Sequence, residues 1–161
     1  MTKVIGITGG IGSGKTTLCK HLKKRGYLVH ESDKFVSSIY KNPKRTFLSF
    51  LKKNISKEVV QNYKINKKKV ANIIFNSHQS RKKLENYIHK EVKKSRESFI
   101  KRNKKNNKGV IFVDIPLLIE NNLEKKFDTV VSIISKKKIR TERVLKSKKL
   151  TKKILKKIFK S

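Results

Sequence analysis

Residues 9–16 read GGIGSGKT, and their types and spacing suit the holding of phosphate. The run fits G-x-x-x-x-G-K-[ST], a phosphate-binding loop. The glycines let successive backbone N–H groups turn inward as an anion nest and let phosphates come close. Lys15 is a point charge that can reach the β- and γ-phosphates, and the Thr16 hydroxyl is placed to ligate Mg²⁺. Gly10, Ile11, Gly12, Ser13, Gly14, Lys15, Thr16 and Thr17 therefore form the candidate nucleotide-binding set. Five of the seven glycines of the chain lie at positions 6, 9, 10, 12 and 14, which points to a backbone requirement rather than a linker.

The chain has three aspartates, Asp33, Asp114 and Asp128. Asp114 closes the apolar run VIFVD, and an acid at such a strand tip organises Mg²⁺ and its water beside a phosphate-binding loop. Asp33 follows a second short apolar run. It can accept a proton from an attacking hydroxyl, or it can cap the helix that follows; the sequence leaves both readings open. The four histidines, His21, His30, His78 and His89, make no metal-binding spacing. No nucleophile triad can be assembled, and Cys19 is expected to pack on the helix after the loop.

These residues need elements to hold them. Residues 3–8 read as a buried strand entering the loop, and 16–25 as a helix leaving it, with Gly26 at its left-handed C-terminal cap. Residues 27–30 read as a second strand. Residues 34–107 read as several basic helices with short apolar faces, at Phe35, Ile39, Phe47, Phe50 and Leu51, at Val70, Ile73, Ile74 and Phe75, and at Leu84, Ile88 and Val92. A turn at 103–109 ends that region. Strands are expected at 110–114 and 128–134, with a turn and short helix at 115–120 between them. Residues 136–161 read as two basic amphipathic helices, broken near 147–151, with Thr151 as a cap and Ile154, Leu155, Ile158 and Phe159 on one face.

A chain of 161 residues suits one domain with a real core. Strands alternating with helical patterns predict an α/β fold with a parallel sheet. One cysteine excludes an internal disulfide and suits a reducing cytoplasm. No leader and no membrane-spanning run is expected. The net charge of +33 suggests a polyanion binder. The lysines are spread over nearly every segment, however, without a recognition helix or an aromatic stacking platform. The reading is therefore a solvated basic surface that attracts anionic substrates, with functional nucleic-acid binding not expected.

Taken together, the motifs resemble those of the dephospho-CoA kinase family, along almost the whole chain. IGITGGIGSGKTT is similar to that family's opening, and HESDK to its Asp-Ala-Asp-like segment, with Asp33 on the second acid. RKKLENYIHKEV resembles the segment that gives Arg81, Glu85 and His89. VDIPLLIE is the most specific match. TERVLKSKKLT resembles the start of the family's lid, with Arg143 on its first arginine. Lys90 stands where proline is usual, and Ser147 where a second lid arginine is common.

The resemblance implies ATP and Mg²⁺ as cofactors and dephospho-CoA as a small-molecule acceptor. The phosphoryl group would pass to the ribose 3′-hydroxyl, giving coenzyme A, in a cytoplasmic enzyme, with a monomer favoured. It implies Asp33, Lys15 and Arg143 as catalytic. Thr8, Asp33, Arg81, His89, Asp114 and Leu117 would be substrate-binding, and Thr16 and Asp114 would be metal-binding, directly or through water. It also implies a parallel sheet of order 2-3-1-4 flanked by helices, with a helical substrate cap over about 34–107 and a partial lid over about 136–161. The family's fifth strand and the rest of its lid are expected to be missing after Ser161. The rival readings are another small-molecule kinase on the same core, such as a nucleotide or nucleoside kinase, and an inactive remnant that binds polyanions.

Overall fold

A computed structural model of the chain describes residues 1–147. Thr151 and the apolar face at 154–159 lie outside the described residues. The chain divides into two compact units, one of residues 1–31 and 100–161, the other of residues 32–99.

The first unit is built on a four-stranded sheet. Its strands are β1 (Lys3–Thr8), β2 (Leu28–Glu31), β5 (Val110–Asp114) and β6 (Thr129–Ser132), in the order β2-β5-β1-β6. Counting only the strands of this sheet, that order is 2-3-1-4, and every pairing is parallel. A strand paired on both sides and covered on both faces reads as a nearly continuous apolar run. β1 and β5 do so, with Val4, Ile7, Ile111 and Val113 buried.

The register brings the carboxyl ends together. Ile7 pairs with Asp114, Glu31 with Asp114, and Thr8 with Ser132. In open parallel sheets ligands gather at this end. Asp128 works at the opposite end, where its Oδ2 accepts from the Val4 N–H at 2.7 Å.

Helix α1 (Lys15–Lys24) packs Cys19 against Ile7 and Val29. It ends as the sequence indicates. Gly26 has φ +84°, its N–H donates to Lys23, and the Tyr27 N–H donates to Leu22, which is a Schellman closure. The expected turn with a short helix after β5 is a run of turns instead, and a single 3₁₀ turn follows at Glu124–Lys126. Leu118 in that run is fully buried, and a Cβ built on Gly6 would lie 2.8 Å from its Cδ1. The segment thus packs on the backbone of β1, and Leu117 within it has φ +54°, a conformation outside the right-handed helix.

The second unit contains α2 (Ser32–Lys41), α3 (Arg45–Asn54), α4 (Lys67–Asn76) and most of α5 (His78–Lys105). Its core is Phe47, Leu48, Leu51, Val59, Val60, Val70 and Leu84. Phe47 and Phe50 both stack on Tyr87, at 5.3 and 4.3 Å between ring centres.

Three expectations are corrected here. The region is not purely helical, because β3 (Val60–Gln61) and β4 (Lys64–Ile65) form a small antiparallel hairpin. Its two loop residues, Asn62 and Tyr63, have φ +47° and +61°, the geometry of a type I′ turn. Tyrosine in place of the usual glycine hides that turn from a sequence pattern. Phe75, grouped with the apolar face of α4, is 89% exposed. The turn expected from Asn103 begins later, since α5 continues to Lys105, and buried Asn103 accepts from the Thr2 hydroxyl through its carbonyl.

Candidate active site

The loop after β1 enters α1 through Gly14, the N-cap residue, at φ +110°. Only glycine takes that conformation without strain. Its carbonyl accepts from Thr17 and Leu18 at 2.9 and 3.0 Å, so the helix starts at once. No side chain caps this end, and no acidic residue stands in the first turn. The first N–H groups of a helix have no partner inside it, and they carry the positive end of its dipole. An uncapped, glycine-led helix start with no acidic residue of its own in the first turn is a ready site for an anion. Thr16 and Thr17 are exposed there, and Ser13 is buried with its Oγ unpaired.

Lys15 and Asp114 meet at the carboxyl end of the sheet in an ion pair between Nζ and Oδ1, with side-chain exposures of 11% and 5%. Burying either charge alone would be costly, so the pair holds both groups in place. The next strand tip repeats the device, where Lys23 neutralises the buried Glu31.

The donor set fits Mg²⁺. Among the described residues no group of three or more His, Cys, Asp and Glu could hold a metal. Thr16 and Asp114 offer oxygen alone. That suits a hard cation which keeps its waters and takes its other ligands from phosphate oxygens.

Helix α6 (Lys137–Lys146) supplies the outer wall of the loop. Arg143 donates from Nη1 to the Gly12 carbonyl at 3.3 Å, the Ser13 carbonyl at 3.1 Å and the Ser135 hydroxyl at 3.3 Å. Two further contacts are not legible in the sequence. Arg140 Nε donates to the Ile11 carbonyl at 2.9 Å, and the Ser135 hydroxyl donates to the Ser13 carbonyl at 3.0 Å. The only signal for Arg140 is its spacing of three from Arg143, which puts both on one helix face.

The first unit thus holds together the loop, Lys15, Thr16, Asp114 and Arg143. Thr8 is buried at the end of β1, with its carbonyl accepting from Ile133 at 2.9 Å. Leu117 is 60% exposed at φ +54°. Asp33, Arg81 and His89 belong to the second unit. Asp33 is exposed in the first turn of α2, one residue inside the helix rather than at its cap. Arg81 and His89 are exposed on α5, and Arg81 faces Glu85 at 3.8 Å one turn on.

Comparison with known proteins bears on the family and the fold. The sequence profile of the dephospho-CoA kinase family matches residues 3–161. A dephospho-CoA kinase of Fusobacterium nucleatum is 31% identical, over 98% of this chain and 80% of its own length. One from Bartonella quintana is 32% identical, over 89% of this chain and 72% of its own. A Thermus thermophilus crystal structure shares the fold with a TM-score of 0.74 at 24% identity, over 99% of this chain and 79% of that one. A dephospho-CoA kinase structure from Campylobacter jejuni does so with 0.67 at 23%, over 97% and 78%. With a phosphate loop, a strand-end acid and a matching profile over almost its full length, the chain belongs to the dephospho-CoA kinase family.

Proposed function

We propose that the chain phosphorylates dephospho-CoA, using ATP, on the ribose 3′-hydroxyl. The observation that carries this reading is the uncapped glycine-led loop with Lys15 and Asp114 at its mouth, in a chain of this family. The loop N–H groups and Lys15 bind the β- and γ-phosphates. Lys15 then exchanges its Asp114 partner for phosphate oxygens, which frees the carboxylate. Thr16 and Asp114 would hold Mg²⁺, directly or through water, and the cation would supply positive charge beside the phosphates. Asp33 orients the 3′-hydroxyl and takes its proton as the oxygen attacks phosphorus in line with the departing ADP oxygen. Arg143 stabilises charge on the transferred group, and Arg81 and His89 hold acceptor groups. Most of the catalysis is positioning and fixed charge. The setting for this reaction is the cytoplasm, and the working form is a monomer.

The test is ADP formation from Mg·ATP with and without dephospho-CoA, beside a panel of nucleoside and nucleotide acceptors. Turnover should require dephospho-CoA. It should fall at least about 10²-fold in Asp33→Asn, the range for loss of a positioned base, and at least as far in Lys15→Ala. ADP formation indifferent to dephospho-CoA, or fastest with another acceptor, would sink the reading.

A further inference from the structure

We propose that Arg140 is a positioning residue for the phosphate loop, and that Gly10 is glycine in order to seat its guanidinium. The inference rests on the ATP-binding half of the reading above and is independent of the acceptor.

Arg140 is half-buried on α6 and donates from Nε to the Ile11 carbonyl at 2.9 Å. Its terminal nitrogen covers Gly10, where an added Cβ would lie 2.5 Å from Nη2 and 3.0 Å from Cζ. The Gly10 backbone is outside the left-handed region, so alanine fits there conformationally. The nearest atoms an added side chain at Gly10 would meet all belong to the Arg140 guanidinium, so Arg140 would have to swing off the loop to admit it. Gly12 differs. It has φ +75°, and its added Cβ would meet the Arg140 backbone carbonyl at 2.7 Å. One residue of α6 thus presses on the loop twice, through its side chain at Gly10 and through its main chain at Gly12.

The consequence for phosphate follows from peptide geometry. In a trans peptide the C=O and the N–H of one unit point in opposite directions. Arg140 draws the Ile11 carbonyl toward α6, so the Gly12 N–H of the same peptide is aimed away from α6. Arg143 and Ser135 draw the Ser13 carbonyl outward and aim the Gly14 N–H in the same way. An anion nest depends on how its N–H groups are aimed. The cations of α6 therefore help set the shape of the cradle. Arg143 takes the Gly12 and Ser13 carbonyls, and Arg140 takes that of Ile11.

A double-mutant cycle separates this role from general packing. The dissociation constant for ATP is measured by calorimetry without acceptor, for wild type, Gly10→Ala, Arg140→Ala and the double variant. Arg140→Gln, which keeps most of the side-chain volume, guards against a folding defect in Arg140→Ala. Gly12→Ala, alone and with Arg140→Ala, is the control. Loss of one well-aligned charged contact suggests about a tenfold weakening for each single variant. The double variant should remain near tenfold, because both changes remove the same contact. Gly12→Ala should cost as much in the Arg140→Ala background as in wild type, since its clash is with backbone. In turnover, KM for ATP should rise while KM for dephospho-CoA holds. An additive cycle near a hundredfold, unchanged ATP affinity in Arg140→Ala and Arg140→Gln, or a parallel rise in both KM values would each overturn the proposal. If the chain proves to phosphorylate another acceptor, the ATP cycle still reads out.

Discussion

Two charged side chains at the sheet tip, Lys15 and Asp114, show how one residue can serve both stability and chemistry. Asp114 is buried and Lys15 nearly so, and each is tolerable because of the other. Cys19, in the same helix as Lys15, is fully buried. Burial raises its thiol pKa from 9.0 to about 11, and the nearby Asp114 and Glu31 charges push it the same way. The linkage has a definite sign. Between these two values the unfolded thiol loses its proton while the folded one keeps it. The folded state then binds more protons, so stability falls as pH rises through that window. Denaturant melts at pH 8 and pH 10.5 should show wild type losing more stability than Cys19→Ala over that interval, although the variant starts lower because of its cavity. Equal losses in the two proteins would refute the assignment.

At the scale of elements, ends and turns decide what forms. α1 has glycines at both ends, Gly14 to open it without a side-chain cap and Gly26 to close it. α4 begins differently. Asn66 is its N-cap, and its Oδ1 accepts from the Lys69 N–H at 3.0 Å. The contrast has a reason, since a side chain capping α1 would occupy the N–H groups that phosphate needs. Asn66→Ala should therefore destabilise the second unit by about 1 kcal/mol. The measure is a lower urea midpoint with an unchanged slope, and an unmoved midpoint would show that the cap contributes nothing. The β3–β4 hairpin depends on tertiary support. Tyr63 at φ +61° is unfavourable by itself, but buried Val59 and Val60 fix the register around it.

The whole molecule carries +33, with only 11 acidic residues against 44 lysines and arginines. Such an excess repels itself in the compact state and draws anions toward the surface. Salt screens both effects, since the Debye length falls from about 30 Å at 0.01 M to about 8 Å at 0.15 M. Raising NaCl across that range should increase the melting temperature by a few degrees and slow ATP association. A melting temperature that falls with added NaCl would mean that attractive ion pairs outweigh the repulsion. Among the described residues no helix is long and apolar enough to cross a membrane.

The phosphate loop was legible because its demands are local. A glycine-led turn, a lysine and a threonine must be adjacent in sequence to work, so GGIGSGKT states its own geometry. The parallel sheet was legible for a similar reason, since strands buried on both faces are apolar runs wherever they occur. Strand order also matched the order implied by the family resemblance. Helix ends were legible at Gly26, where a left-handed cap needs glycine, and hidden at Asn62-Tyr63, where tertiary packing carries a residue that local preference rejects. The pairing of Lys15 with Asp114, 99 positions apart, and the seating of Arg140 on Gly10 are decisions of the tertiary structure. Each depends on where two distant backbones pass each other, and no run of neighbouring residues encodes that distance.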